Sequence, residues 1–270
     1  MKFFHLTIFE LKRLAVLFII WTIIWAGMAY LIVSTYDAVA ASSQELQKLT
    51  EAMPKELLAA FSMTSENLVT FEGYFNSKFG ILFILAGGVL ASYLGVARIS
   101  KEISNKSLLF LIAKPVSRLQ VFLAKAIAVM TAIIASNIIV FITCIVAYKL
   151  AVTTNTTIPT QFFIFAFLGI TIFQYFFAGL GFLFSVMLEE GKALGLSILS
   201  SLLAFILNIV TALEGMPEFI KYISPYSYLD IQYIAQHSLL KFPHTLIFVV
   251  VGTGFFILAL SLFRNKDLEM

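Results

Sequence analysis

Charge is scarce in this 270-residue chain, where Asp, Glu, Lys and Arg together make up 12% against about 25% in soluble globular domains. A soluble fold of this length could not hide the 60% of residues drawn from the AVILMFWYC set, so that class is excluded. Cysteine is nearly absent: Cys144 stands alone, which rules out an internal disulfide. With it, His5, His237 and His244 leave no clustered thiols or imidazoles for a structural metal site. The excess of 18 Lys+Arg over 15 Asp+Glu is too small to point to a nucleic-acid partner. Six prolines and 14 glycines are too few for a low-complexity chain.

What the sequence has instead is long apolar runs, with 28 Phe supplying much of their bulk. A bilayer core of about 30 Å is crossed by about 20 apolar residues in a helix. Six stretches meet that length: 14–36, 79–97, 121–148, 162–188, 193–213 and 243–263. The expected fold class is an all-α polytopic membrane protein, one transmembrane domain over 1–270 with six transmembrane helices. If both termini are cytoplasmic, the inner segments hold Lys2, Lys12, Arg13, Arg98, Lys101, Lys106, Lys114, Arg118, Lys125, Lys192, Arg264 and Lys266. The outer ones hold only Lys48, Lys55, Lys78, Lys149, Lys221 and Lys241. Lys/Arg bias at span ends sets orientation, so both termini are expected inside. Ala38-Val39-Ala40 has the look of a leader cleavage site, but the run at 14–36 exceeds the ~7–15 residues of a signal core. It is read as a retained span.

Between the spans, 1–13 reads as an amphipathic interfacial helix, with Phe4, Ile8, Leu11 and Ala15 at helical spacing and His5, Lys12 and Arg13 elsewhere. A simple basic flank that orients the first span is the alternative. The outer loop 37–78 carries a second apolar stripe, Leu46, Leu49, Met53, Leu57 and Phe61, expected as helix on the outer surface. The last outer connection, 214–242, is rich in tyrosine (Tyr222, Tyr226, Tyr228, Tyr233), a residue that concentrates at headgroup level. It is expected to be a reentrant segment, broken at Ser224-Pro225.

The most informative stretch is the inner loop 98–120. It holds Arg98, Lys101, Lys106, Lys114 and Arg118 against the single acid Glu102, with the apolar run Leu108–Ala113 in its middle and Lys125 downstream. Pro115 ends any helix over that run. Ser117 with Gln120 three residues on makes a capping-box pattern that starts the third span as a new helix. A short helix, a turn and a restart make a basic, partly apolar docking element.

Glu102, then Ser107 and the apolar run, then Lys114-Pro115-Val116-Ser117-Arg118 and Lys125, resembles the signature of type-2 ABC transporter permeases. The six-span layout, the long first outer loop and the ending Phe263-Arg264-Asn265-Lys266-Asp267-Leu268 are similar to the same family. Lys106-Ser107 stands where Gly-Thr is usual, and Leu109 where an acid often follows. The resemblance implies a pore-forming membrane subunit that pairs with a second permease chain, as homo- or heterodimer, and with two ATPase subunits below. In it, the loop at 98–120 is the coupling element. Glu102, Lys106, Ser107, Lys114, Pro115, Val116, Ser117, Arg118 and Lys125 carry the contact, and the turn at Glu189 and Glu190 adds a smaller one. ATP and Mg belong to the partner, and this chain is expected to bind no cofactor.

The chain's own motifs agree with a non-catalytic role. Gly191-Lys192 is followed by Ala193 and has no glycine upstream at phosphate-loop spacing. Leu194 stands where a double-glutamate membrane protease would need arginine. Within the spans, polar groups are few; Asn137, Gln174 and Asn208 either bridge helices or line a path. With no acid or base at the centre of a span, an ion-driven transporter is disfavoured. The expected function is the permease subunit of an ATP-driven exporter in the cell membrane, moving a hydrophobic or amphipathic substrate such as a peptide, peptide antibiotic or lipid. A non-transporting scaffold of the same architecture and a secondary transporter are the alternatives.

Overall fold

A computed structural model describes residues 2–42, 53, 58, 70–105, 116–153, 157–211, 217, 219–229 and 231–266. The described residues are overwhelmingly helical and contain no strand, and six helices are long and apolar enough to cross a membrane. In chain order they are α1 (Lys2–Ser34), α2 (Tyr36–Ala41), α3 (Phe71–Phe75), a π-helical turn (Asn76–Gly80), α4 (Ile81–Ser104), α5 (Arg118–Ala151), α6 (Thr160–Met187) and α7 (Glu190–Thr211). The short helices α8 (Phe219–Ile223), α9 (Pro225–Tyr228) and α10 (Ile231–His237) follow, and α11 (Phe242–Asn265) closes the chain. The apolar runs at 121–148, 162–188, 193–213 and 243–263 fall on α5, α6, α7 and α11, with ends moved by a few residues.

Two segments differ from expectation. The stretch 1–13 does not form a separate interfacial helix, because α1 continues unbroken through residue 13 to Ser34. No proline interrupts it, and its buried line is Thr7, Glu10, Leu14, Phe18, Thr22, Trp25, Ala29 and Val33, the three-and-four spacing of one helix face. Phe4, first of the expected apolar stripe, is 67% exposed. The inward face was therefore chosen by a carboxylate and two threonines as well as by apolar bulk. The second departure lies in 37–78, whose ends are helical rather than loop. Thr70 accepts the Gly73 N–H as an N-cap, and the helix of the second span starts there, eight residues before Phe79. Phe71 packs edge-on against Tyr36, Tyr148 and Phe163, and Phe75 against Phe162 and Phe163. Such contacts are worth about 0.5–1.5 kcal/mol each. The surface helices expected over Leu46–Phe61 lie outside the described residues, apart from Met53 and Leu58.

α6 sits at the centre, against α4, α5, α7 and α11, while α1 lies along α5 and α7 along α4. The α4–α6 contact is close because both helices present glycine. A Cβ on Gly181 would stand 2.2 Å from the Ser92 carbonyl oxygen, and one on Gly95 2.5 Å from that of Ala178. Small residues that let backbones approach are what drive helix association in lipid. Gly191 and Gly195, four residues apart at the start of α7, face open space. The connection at 214–242 is divided at Ser224-Pro225, where α8 ends and α9 begins with proline in its first turn. Tyr226 and Leu229 are buried, and Tyr226 packs on Phe173 of α6 and Phe205 of α7.

Candidate functional site

The N-terminal part of α1, the last turn of α4 and the start of α5 meet at one end of the bundle. Four charged side chains join there. Glu102, in the last turn of α4, takes Arg13 of α1 at 2.6 Å on Oε1 and Lys125 of α5 at 2.8 Å on Oε2. Lys125 reaches in turn to Glu10 of α1 at 2.7 Å, and Arg13 lies 3.7 Å from the same carboxylate. The Lys125 and Glu10 side chains are fully buried and that of Glu102 is 5% exposed, whereas Arg13 keeps 40% exposure. The set balances, two carboxylates against two cations. Each buried ion carries a desolvation cost of several kcal/mol, which only close pairing offsets. The helix dipole gives no help, since a carboxylate in the last turn of α4 faces the negative end. Ion pairing with Arg13 and Lys125 offsets that unfavourable placement of Glu102.

The other limb of the loop is anchored differently. Ser117 and Gln120 form the reciprocal capping box read from the sequence, with bonds of 3.0 and 3.2 Å. Arg118 then crosses to the C-terminal end of α11, donating to the Arg264 and Lys266 carbonyls at 2.9 and 2.7 Å. Lys266 itself donates to the Val186 carbonyl at the end of α6, at 2.6 Å. Cations at helix C-termini satisfy orphan carbonyls and complement the dipole. Val116 is half-buried against the core. Glu189 pairs with Lys192 at 3.0 Å, both well exposed, and Glu190 opens α7 beside them. Lys106, Ser107, Lys114 and Pro115 lie outside the described residues.

Of the residues expected at the docking surface, two are therefore inside the fold. Glu102 and Lys125 face α1 and each other. The pairing partner that sequence reasoning missed is Glu10, together with the role of Arg13. The signal available was a lone acid at the start of an apolar helix whose neighbours are all basic, which invites a search for a buried cation elsewhere.

A second polar set lies within the bundle. Asn137 of α5 donates to Thr171 at 2.8 Å and to Gln174 at 2.7 Å on α6, and Thr22 of α1 donates to Ser136 of α5 at 2.7 Å. The Gln174 amide fills the space over Gly87 of α4, where a Cβ would come within 2.5 Å. Asn137 and Gln174 thus bridge three helices. Asn208 is half-buried on α7, its carbonyl accepting from Thr211 at 2.7 Å.

A search of curated proteins gives no match. The family described as "ABC-2 family transporter protein" matches residues 7–268, a stretch that includes α1 from Thr7 onward, the other five long helices, the ion cluster and the clamp at Arg118. Relatives of this kind are the permeases of ABC transporters and partner ABC ATPase subunits. By that match, and by its six apolar helices, the chain is a multi-pass membrane protein that belongs to the ABC-2 transporter family.

Proposed function

We propose that this chain is the membrane subunit of an ATP-driven exporter and that the loop between α4 and α5 receives the motion of a separate ATPase. The observation that carries the reading is the ion cluster at the base of that loop. A push on the loop reaches Glu102 on one limb, and the pairs from Glu102 to Arg13 and Lys125 make α1, α4 and α5 answer as one body. On the other limb, the Arg118 and Lys266 clamps carry it to α11 and α6. Lys106, Ser107, Lys114, Pro115, Val116, Glu189 and Glu190 supply the docking surface, while Glu102, Arg118 and Lys125 position it from within. ATP and Mg stay on the partner, and this chain does no chemistry of its own.

Substrate moves between two six-helix halves, this chain and a second permease chain of the same or a different sequence, in the cytoplasmic membrane of a prokaryotic cell. Mid-bundle polar groups are amides and hydroxyls that already bond to each other. An interior of that kind suits a hydrophobic or amphipathic cargo, a peptide, peptide antibiotic or lipid, better than a sugar or an ion.

The test is reconstitution with the partner ATPase in sealed vesicles, measuring substrate-stimulated ATP hydrolysis and export together. The expected result is ATP-dependent export that Pro115→Ala uncouples, with hydrolysis continuing. Export driven by an imposed proton or sodium gradient without ATP contradicts the proposal, and hydrolysis indifferent to every candidate substrate returns the chain to a scaffold.

A further inference from the structure

The ion cluster leaves one cation out. Arg98 lies one helical turn before Glu102 on α4, about 6 Å deeper along the helix axis, within electrostatic reach of Glu10, Glu102 and Arg13. Its Nε is buried without a hydrogen-bond partner, and no carboxylate pairs with it among the described residues. Glu102 is ion-paired with Arg13 and Lys125, and Glu10 is held by Lys125 through Oε1, its Oε2 buried without a hydrogen bond. Nor can the adjoining loop supply an acid, because the sequence has none between Glu102 and Glu189. Arg13, Arg98 and Lys125 therefore share Glu10 and Glu102.

An arginine near the end of a membrane helix with no paired carboxylate among the described residues is open to an anion from outside the chain. What surrounds Arg98 says which. Arg13 keeps 40% of its side chain exposed and stacks its guanidinium 5.7 Å over the exposed ring of Phe9. Tyr93, five residues before Arg98 on α4, exposes its ring. Two guanidinium groups near the end of the bundle, with the exposed rings of Phe9 and Tyr93 on the same two helices, complement a phosphodiester that has acyl chains below it. Guanidinium matches phosphate oxygens with paired donors, and basic recesses between membrane helices are where anionic headgroups lodge.

We propose that Arg98 and Arg13 bind the phosphate of an anionic phospholipid from the leaflet at the N-terminal end of α1, and that this lipid completes the charge balance of the cluster. The lipid is a resident of the site, not a transported substrate, so the inference stands apart from the choice of cargo.

The test uses the full chain, purified and delipidated, then offered equal amounts of phosphatidylglycerol and phosphatidylcholine, with retained lipid counted by native mass spectrometry. Wild type is expected to retain phosphatidylglycerol selectively. Arg98→Gln should lower that selectivity about fivefold, the factor set by one basic residue near an anionic surface. Arg98→Lys should keep part of it, and Lys101→Gln, on the exposed face of the same turn, should leave it unchanged. A photoactivatable phosphatidylglycerol applied to wild type should label residues 93–102 or the first turns of α1. That measurement needs no variant to fold. Equal retention of both lipids by wild type, labelling confined to other helices, or displacement of the bound lipid by inorganic phosphate each overturns the proposal.

Discussion

The seam between α1 and α5 and the seam between α4 and α6 join helices of similar length by opposite means. α1 meets α5 through polar groups, with Glu10 on Lys125 at the end and Thr22 on Ser136 further in. α4 meets α6 through missing side chains, with Gly95 and Gly181 letting backbones touch. An ion pair buried beside lipid is all-or-none, since losing one partner strands the other. A glycine contact is graded, since each added atom costs a little more strain. The first seam is therefore suited to transmit a discrete displacement, and the second to act as the fixed frame against which it is felt.

The comparison breaks most sharply at Lys125. Replacing Lys125 with Met strands Glu10 and one oxygen of Glu102, and is expected to destabilise the chain by about 3–5 kcal/mol, read as lower thermal stability in detergent. Glu10→Gln added to Lys125→Met restores the charge balance and should recover part of that loss. In the other seam, Gly181→Val drives a side chain into the Ser92 carbonyl, and should cost about 1–3 kcal/mol. Gly191→Ala, in open space, should cost nothing by the same melting assay. Ser117→Ala removes the cap that restarts α5 and should cost about 1 kcal/mol. Its effect should show first as faster hydrogen exchange in the opening turn of α5. A comparable effect is expected at Asn137→Leu, which removes the bonds to Thr171 and Gln174 of α6, each worth about 0.6 kcal/mol on average. A larger drop in export than in stability there would place Asn137 on the substrate path instead.

The two seams were unequally legible in the sequence. Apolar runs announced the six spans because a bilayer imposes length on them, and Ser117 with Gln120 announced the restart of α5 because capping is local. Pro225 likewise marked the break in the outer segment. Glu10 was invisible as a site: its partner lies 115 residues away, and in isolation a lone acid among lysines reads as the wet face of an amphipathic helix. The start of the second span at Phe71 was hidden for a related reason. Asn76, Ser77 and Lys78 look like loop, yet Asn76 and Ser77 are buried in the π turn because aromatic neighbours from α5 and α6 enclose that end. Gly95 and Gly181 carry no spacing signal, since each finds its contact on another helix.

In the proposed coupling, motion entering at the inner loop passes to α1 through the bond from Arg13 to Glu102. The most direct measurement is export per ATP hydrolysed in vesicles holding the partner ATPase, compared between wild type and Arg13→Gln. That variant keeps the Lys125 pairs and a donor near Glu102. Hydrolysis is expected to continue while export falls about tenfold, within the 5–150-fold range of coupling between sites. Unchanged export per ATP, with the variant inserted at wild-type level, would contradict it.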